Sequence, residues 1–335
     1  GPGHGCVERF ADPMKRLLKQ LYAALPCKRP LFMLLRRLPL PERIYQHLHF
    51  TGVITVDLDV ERSIRMRHHG FIVENELFWR GLDGWERNSL RLWQLLCARA
   101  DHIVDIGANT GVYALIGACL RPNARIAAVE PVERVFRMLE ENIALNQAPI
   151  QAVRMAITDR NGAVQLFDRP GTRHEYDATL SPDYVQEYPD AIATTVEGRT
   201  LQGLLDPLGW DRVELLKIDV EAHEAELITG ALPVLRRDRP AMLIEILSPG
   251  IGDRVMAALE GMDYLCFTID EVQWPPQRTD HLGRGRDRNH LICTPETARA
   301  IGSEHPAMAQ ALETLATTAR NAGETMEAAS AVERA

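Results

Sequence analysis

The segment from His102 to Leu120 constrains the fold of this chain more than any other. It starts with the apolar run His102–Ile106 and passes through Gly107 and Gly111 into a helical pattern over Thr110–Leu120. Glycine lets the backbone turn sharply and approach a ligand, because no Cβ stands in the way. A buried strand that turns through glycines directly into a helix is typical of nucleotide-binding α/β domains.

Strands and helices alternate along this part of the chain, which predicts a doubly wound, mostly parallel α/β sheet. The predicted strands are His102–Ile106, Arg125–Val129, Ala152–Ile157, Val213–Ile218, Met242–Ile246, Tyr264–Ile269 and His290–Cys293. The predicted helices are Thr110–Leu120, Val132–Asn146, His223–Thr229 and 251–261. In an open sheet of this kind, ligands bind at the carboxyl ends of the strands.

The N-terminal region has a different pattern. Residues 13–49 combine leucines at helical spacing with lysines and arginines. This favours a helical cap packed on the main domain; a helix lying on a membrane surface or against an acidic partner is the alternative. The runs Val53–Val60 and Ile64–Ile72 predict a hairpin, and Trp85–Ala100 predicts a further helix. We therefore expect 13–70 to form a helical and hairpin extension.

Three segments outside the regular alternation carry weaker signals. Ala163–Phe167 follows a turn and is predicted to pair as a hairpin with Ala152–Ile157. Residues 168–192 are rich in turn-forming residues and predict a long loop. Residues 296–335 are rich in alanine and predict a helical or partly disordered tail, whereas 1–12 are expected to be a disordered cloning remnant.

Composition limits the class of function. The chain has 335 residues, of which 46% are hydrophobic and 25% charged, and this suits one large globular domain with appendages. The net charge of -8 argues against a nucleic-acid-binding protein. Six cysteines without a C-x-x-C pair predict neither a zinc site nor a disulfide framework, and thus a cytoplasmic protein. No uncharged apolar run of about 18 residues occurs, so no transmembrane helix is predicted.

The residues of the glycine-rich turn indicate which nucleotide it binds. A dinucleotide fingerprint has a second glycine where this chain has Asn109, and Asp105 would repel a pyrophosphate. A carboxylate suits the ammonium group of S-adenosylmethionine instead. Glu130 follows the next strand, about twenty residues after Gly111. This is the offset at which a carboxylate meets ribose hydroxyls in dinucleotide-binding folds. The pattern favours S-adenosylmethionine over a nicotinamide cofactor.

A second cluster of polar residues follows the strand Val213–Ile218. Asp219, Glu221 and His223 are the predicted catalytic residues, with His223 or Glu221 as general base and Asp219 orienting the base or substrate. Helix capping by the carboxylates and a surface position for the histidine are the structural alternatives. Lys217 is interpreted as an ion-pair partner of Glu245. We predict no metal ion, although Asp219, Glu221 and Glu245 are the residues that a hard cation would use.

These motifs resemble the FkbM family of S-adenosylmethionine-dependent methyltransferases. The resemblance extends over roughly 70–293 and rests on the segments 105–111, 130–131, 217–221 and 244–245, with 74–79 and 84–86 upstream. It implies a seven-stranded, Rossmann-like class I methyltransferase fold, a methyltransferase domain over 71–295, and O-methylation. Two positions depart from the family pattern. Ala222 replaces a usual glycine, which we expect to be tolerated at a helix start, and Gln202 replaces a usual aspartate.

The predicted function is O-methylation of a hydroxyl on a sugar, glycolipid or natural product. The residues predicted to bind S-adenosylmethionine are Asp105, Gly107, Asn109, Gly111, Glu130, Glu86 and Asp219. An N-methyltransferase is one alternative, although no Asn/Asp-Pro-Pro-aromatic sequence follows the fourth strand. A non-catalytic scaffold that keeps the donor pocket is another. The expected partner is a small-molecule or glycan acceptor, with the basic N-terminal region as the candidate for peripheral membrane contact.

Overall fold

A computed structural model of the protein describes residues 28–169, 178–180 and 190–304. The predicted segment 1–12, the first part of the predicted cap, most of the predicted loop and most of the alanine-rich tail lie outside these ranges. The helices are α1 (Lys28–Leu35), α2 (Glu42–Tyr45), α3 (Ile72–Arg80), α4 (Arg87–Cys97), α5 (Val112–Leu120), α6 (Glu133–Asn146), α7 (Leu201–Leu208), α8 (Glu224–Asp238), α9 (Pro249–Ala258) and α10 (Pro295–Glu304). The strands are β1 (Gly52–Asp57), β2 (Ser63–His68), β3 (His102–Ile106), β4 (Arg125–Val129), β5 (Ile150–Val153), β6 (Ala156–Ile157), β7 (Gly162–Asp168), β8 (Ala178–Thr179), β9 (Ile192–Arg199), β10 (Leu215–Ile218), β11 (Ala241–Glu245), β12 (Leu265–Thr268), β13 (Gln277–Arg278) and β14 (Asn289–Cys293).

The main sheet confirms the predicted fold class. Its strand order is β13-β12-β14-β11-β10-β3-β4-β5. The five strands from β11 to β5 are parallel, and β14 runs antiparallel to both β11 and β12. Seven strands reproduce the predicted sheet, and the two-residue strand β13 extends its edge. Strand β4, which follows β3 along the chain, lies on one side of β3, and β10 lies on the other side. At this reversal of strand order a crevice opens between the carboxyl ends of β3 and β10.

Residues of the parallel strands alternate between two hydrophobic cores. Ile103 and Leu215 face one core together with Trp93 of α4, whereas Val104 and Leu216 face the other. This alternation follows from the period of two along a strand. Helix α5 is buried along most of its length because it packs directly on the sheet, which accounts for its uninterrupted apolar sequence.

A second sheet, of order β6-β9-β7-β8, lies outside the main one and corrects two predictions. The predicted strand Ala152–Ile157 divides into β5 of the main sheet and β6 of the second sheet. The predicted hairpin between that segment and Ala163–Phe167 is wrong, because β7 pairs antiparallel with β9 along its whole length. Strand β9 is mostly exposed, so its sequence has little of the apolar alternation from which a strand is recognised.

The N-terminal region contains the predicted hairpin. Strands β1 and β2 pair antiparallel from Gly52 opposite His68 to Asp57 opposite Ser63. The second predicted strand was too long, because Ile72 begins helix α3 after a turn at Gly70. Phe32 of α1 packs against Trp79 of α3, with ring centroids 5.8 Å apart. Within the part of the chain that the structure describes, no helix combines the length and apolar character needed to cross a bilayer.

Candidate active site

The glycine-rich loop after β3 is packed against its neighbours on both sides. Gly107 has φ +77°, and a Cβ there would lie 1.7 Å from the carbonyl oxygen of Asp219. Gly111 has φ +95°, and a Cβ there would lie 2.6 Å from Leu139 Cδ1 of α6. Both positions therefore favour glycine for their backbone conformation, and Gly107 also requires it for space, because the atom it would meet belongs to the backbone. The loop is consequently held within van der Waals distance of the end of β10.

Glu130 is fixed at the carboxyl end of β4. Its Oε2 accepts a hydrogen bond from the backbone N–H of Asn109 (3.1 Å), and its Oε1 accepts one from that of Val132 (2.9 Å). Asn109 adopts a left-handed conformation with φ +51°, which turns its N–H towards the carboxylate. Burial raises the pKa of Glu130 to about 7, and the two N–H donors oppose this rise. Each carboxylate oxygen retains a lone pair for a ligand.

A cleft opens between this loop and the second sheet. Its lining includes Gly107, Asn109 and Glu130 together with Asp219 and Glu221. The apolar part of the lining includes Ile106, Val129, Val132, Val135, Met155, Ile157, Leu166 and Leu180. The Thr179 hydroxyl donates a hydrogen bond to the carbonyl of Glu221, which ties β8 across the cleft.

Asp105 lies beneath the loop. Its side chain is 1% exposed, and its Oδ2 accepts a hydrogen bond from the backbone N–H of Ala114 (2.9 Å) in the first turns of α5. Burial raises its pKa to about 7, against the opposing charge of Lys217. Asp105 is not one of the described residues that line the cleft. Its position favours a structural role at the start of α5 over the predicted contact with a bound amine.

A buried lysine and two carboxylates meet at the ends of β10 and β11. Lys217 is 1% exposed, and its Nζ lies 3.3 Å from Asp219 Oδ2 and 5.0 Å from the centre of the Tyr113 ring. Its closest ion partner is therefore Asp219, which corrects the interpretation that it pairs with Glu245. Burial lowers the pKa of Lys217, but the surrounding carboxylates outweigh this and raise it. The lysine holds Asp219 in a fixed orientation.

Glu245 completes this group on the neighbouring strand. Burial and the adjacent Asp219 carboxylate raise its pKa well above the usual range. Side-chain oxygens of Asp219, Glu221 and Glu245 lie within 4.8 Å of one another, a spacing at which they could hold a cation. Lys217 already supplies a positive charge to two of these carboxylates. A proton retained on Glu245 relieves the remaining repulsion.

Glu86 precedes α4 in a left-handed conformation with φ +41°. Its Oε2 accepts a hydrogen bond from the hydroxyl of Tyr113. Its charge also acts on Lys217 and Asp105, so it belongs to the same buried electrostatic group as Asp219. Sequence reasoning had not selected Tyr113, and the one available signal was its hydroxyl at the start of an otherwise apolar helix.

The side chain of His223 makes its contacts outside the buried electrostatic group around Asp219. Its Nε2 lies 2.8 Å from the Thr158 hydroxyl, and its Nδ1 lies 3.8 Å from a carboxylate oxygen of Glu226. Burial lowers its pKa. It is not among the described residues that line the cleft. The structure thus brings Asp219 and Glu221 together at the cleft and places His223 against β6, where it connects α8 to the second sheet.

The departure from the family pattern at Ala222 has a structural cost. Glu221 and Ala222 are both left-handed, with φ +49° and +72°, and α8 begins only at Glu224. The expectation that Ala222 suits a helix start is therefore wrong, because it occupies a turn in which glycine is favoured. The other departure, Gln202, is remote from the cleft and hydrogen bonds to Asp206 on α7.

We expect Ala222→Gly to stabilise the protein by about 0.5–1 kcal/mol, because it removes a left-handed alanine at the expense of a more flexible unfolded chain. The measurement is the free energy of unfolding in urea. Ala225→Gly in α8 is the matched control and should destabilise by about 1 kcal/mol or more. Equal destabilisation by both changes would contradict the prediction.

Glu74 is a carboxylate buried beside the glycine-rich loop. It is 0% exposed, and neither of its oxygens has a hydrogen-bond partner of good geometry. Burial raises its pKa to about 7, partly opposed by the Thr110 hydroxyl. A carboxyl whose pKa is raised in the folded state binds more protons there than in the unfolded chain. Folding stability is consequently lost as the pH rises from about 4.5 towards 7.

Glu74→Gln should remove this loss of folding stability at higher pH. We expect the variant to exceed wild type by roughly 3 kcal/mol in free energy of unfolding at pH 8, and by less than about 1 kcal/mol at pH 5. Urea unfolding at the two pH values measures the difference. Glu140→Gln, on the exposed side of α6, should behave as wild type at both. A gain for Glu74→Gln that does not change with pH would show that the carboxylate is not the cause.

Comparisons with known proteins agree with the geometry of the site. Residues 105–266 match the model of the methyltransferase FkbM domain. The methyltransferase SdnD of Sordaria araneosa is 27% identical over 206 residues, which are 52% of this chain and 78% of that protein. The 2-O-methyltransferase NoeI of Sinorhizobium fredii is 29% identical over 149 residues, 41% of this chain and 60% of that protein.

Solved structures similar to this chain include the methyltransferase FkbM from Methylobacillus flagellatus, which has 14% sequence identity to it and a TM-score of 0.35. That alignment covers 58% of this chain and 43% of the other. The family match contains the glycine-rich loop, Glu130, Asp219 and Glu245, the residues around which the cleft is built. The chain therefore contains a methyltransferase FkbM domain over residues 105–266.

Proposed function

We propose that this chain transfers a methyl group from S-adenosylmethionine to a hydroxyl oxygen of a sugar, glycolipid or natural product. The observation that carries the proposal is the position of Glu130, which is fixed by two backbone N–H groups and lines the same cleft as Asp219. The match of residues 105–266 to the methyltransferase FkbM domain supports methyl transfer. The name of the relative NoeI, a 2-O-methyltransferase, supports oxygen as the acceptor atom.

The cleft suits the donor chemically. Glu130 offers free lone pairs to a ribose diol, and the apolar side chains of Met155 and Ile157 suit the faces of an adenine ring. The nearest cation of the cleft, Arg134, is engaged with Asp168 through hydrogen bonds of 2.6 and 3.1 Å, so it is not poised for a phosphate. S-adenosylmethionine brings an electrophilic methyl group on a sulfonium. A nucleophilic oxygen attacks the methyl carbon, the C–S bond breaks, and the sulfur leaves with the electron pair as the thioether S-adenosylhomocysteine.

Asp219 is the residue that we propose as general base. An acceptor hydroxyl must lose its proton as the new bond forms, and a carboxylate within hydrogen-bond reach accelerates this step. Lys217 orients Asp219, and Glu245, which retains a proton, supports the same carboxylate through a side-chain hydrogen bond. Positioning of the acceptor between these groups supplies a further part of the acceleration. His223, turned towards Thr158, is then a positioning residue for α8.

We also propose the cytoplasm as the compartment. The cysteines in the described ranges, Cys97, Cys119, Cys266 and Cys293, are free thiols. Free buried thiols are usual in a reducing environment.

The donor site is tested by calorimetric titration with S-adenosylhomocysteine, with NADH in parallel. We expect the wild type to bind the thioether and not NADH. Glu130→Ala should weaken binding by about 10- to 100-fold, because the hydrogen bonds of a charged acceptor are lost. Glu133→Ala, three residues further along and exposed, is the matched control and should bind as wild type. Absence of thioether binding by a folded wild-type chain would refute the proposal.

A further inference from the structure

Helix α1 presents an apolar surface to solvent. Residues 30–35 are consecutive apolar residues; Phe32 points inward with 2% of its surface exposed, and Leu35 is partly buried against the core. The exposed side chains of the helix are Leu31 (40%), Met33 (48%) and Leu34 (61%). A surface helix normally turns its apolar face to the core and its polar face outward. Here the outward face is the apolar one.

The exposed surface continues beyond the helix. Leu38 and Ile44 are 56% and 45% exposed. We refer to these five side chains, Leu31, Met33, Leu34, Leu38 and Ile44, as the α1 patch. Single exposed apolar residues are ordinary, but several close together in sequence mark an interaction surface.

A basic groove adjoins the α1 patch. Arg36, Arg37 and Arg80 line it together with the rings of Tyr45 and Trp79, and Glu42 is the one carboxylate among the described residues of its lining. The Arg36 guanidinium lies 5.3 Å from the centre of the Phe78 ring, which holds it at the groove wall. Glu76 lies behind the groove, where it accepts a hydrogen bond from the Tyr45 hydroxyl (2.9 Å). The three guanidinium groups outnumber Glu42 and Glu76, so the groove is locally cationic in a chain of net charge -8.

We propose that the α1 patch docks on a membrane containing anionic phospholipid. The leucines enter the interface between headgroups and acyl chains, and the arginines of the groove bind lipid phosphate. Exposed apolar residues next to cationic ones are what interfacial association requires, since apolar burial and attraction to anionic lipid act together. This inference is independent of the proposed function.

The experiment is sedimentation of the full chain with vesicles. Vesicles of phosphatidylcholine alone are compared with equimolar phosphatidylcholine and phosphatidylglycerol, at several salt concentrations. We expect binding to the anionic vesicles that weakens with salt. Leu34→Glu combined with Leu38→Glu should reduce the partition coefficient by more than about tenfold. Arg36→Gln and Arg37→Gln should reduce it by about fivefold each and flatten the salt dependence. Val272→Glu, at a residue 82% exposed elsewhere, should bind as wild type.

Two controls accompany the sedimentation. Thermal unfolding midpoints of all variants establish that they fold, and sodium phosphate added to the vesicles tests whether free phosphate competes as well as the lipid does. The proposal is overturned if wild type shows no preference for anionic vesicles, or if Val272→Glu loses as much binding as the leucine variant. It is equally overturned if wild type fails to bind vesicles and forms a dimer that Leu34→Glu dissociates, since the patch then joins two copies of the chain.

Discussion

Alanine in place of Gly107 should abolish binding of S-adenosylhomocysteine and lower the free energy of unfolding by about 3–5 kcal/mol. The added Cβ would lie 1.7 Å from the carbonyl oxygen of Asp219 and 2.8 Å from its carbonyl carbon. These are backbone atoms of a buried strand end, so neither a rotamer change nor a small shift relieves the overlap. The loop must move away from β10, which displaces the N–H of Asn109 from Glu130 and opens the wall of the cleft. Calorimetry with the thioether and urea unfolding measure both effects.

A second glycine separates the two components of this effect. Gly209 also has positive φ (+62°), but a Cβ there would meet nothing within 4 Å. Gly209→Ala should therefore lower the free energy of unfolding only by the cost of a left-handed alanine, about 1–2 kcal/mol. It should leave thioether binding unchanged. If Gly107→Ala were no worse than Gly209→Ala in stability and binding, the loop would not be held against Asp219 as the structure shows.

Asp219→Asn should reduce the rate of methyl transfer at saturating donor by about 10²- to 10⁴-fold, the range typical of a lost general base. The amide is isosteric with the carboxylate but cannot accept the hydroxyl proton. Its neighbour Lys217 loses the partner at 3.3 Å, so the acceptor is also less well oriented. The assay follows transfer of a labelled methyl group to a panel of sugars, glycolipids and amines, and uses the best hydroxyl acceptor found.

His223→Gln is the variant that discriminates between the two candidate bases. Because His223 contacts Thr158 and lies away from the cleft, we expect the variant to transfer methyl groups at a rate within about threefold of wild type. A large loss in His223→Gln with near-normal Asp219→Asn would assign the base to the histidine and refute our assignment. An amine as the sole acceptor in the panel would replace O-methylation by N-methylation while leaving the donor site intact.

Local patterns in the sequence determined the part of the fold that holds the donor site. The run from His102 to Leu120 predicts strand, turn and helix because apolar periodicity and glycine conformation depend on neighbouring residues alone. Glu130 follows the next strand at the expected offset, and it lines the same cleft as Asp219. Both conclusions required only that parallel strands end at the same edge of a sheet.

Pairing and side-chain direction were decided only by the tertiary structure. Strand β9 supplies the partner of β7 from far along the chain, and no local pattern encodes that register. Asp105, Asp219 and His223 are all polar residues near strand ends, yet the first is buried under the loop, the second lines the cleft and the third faces β6. Their roles differ because each depends on which neighbour the packed fold brings within about 3 Å, the range over which a hydrogen bond acts.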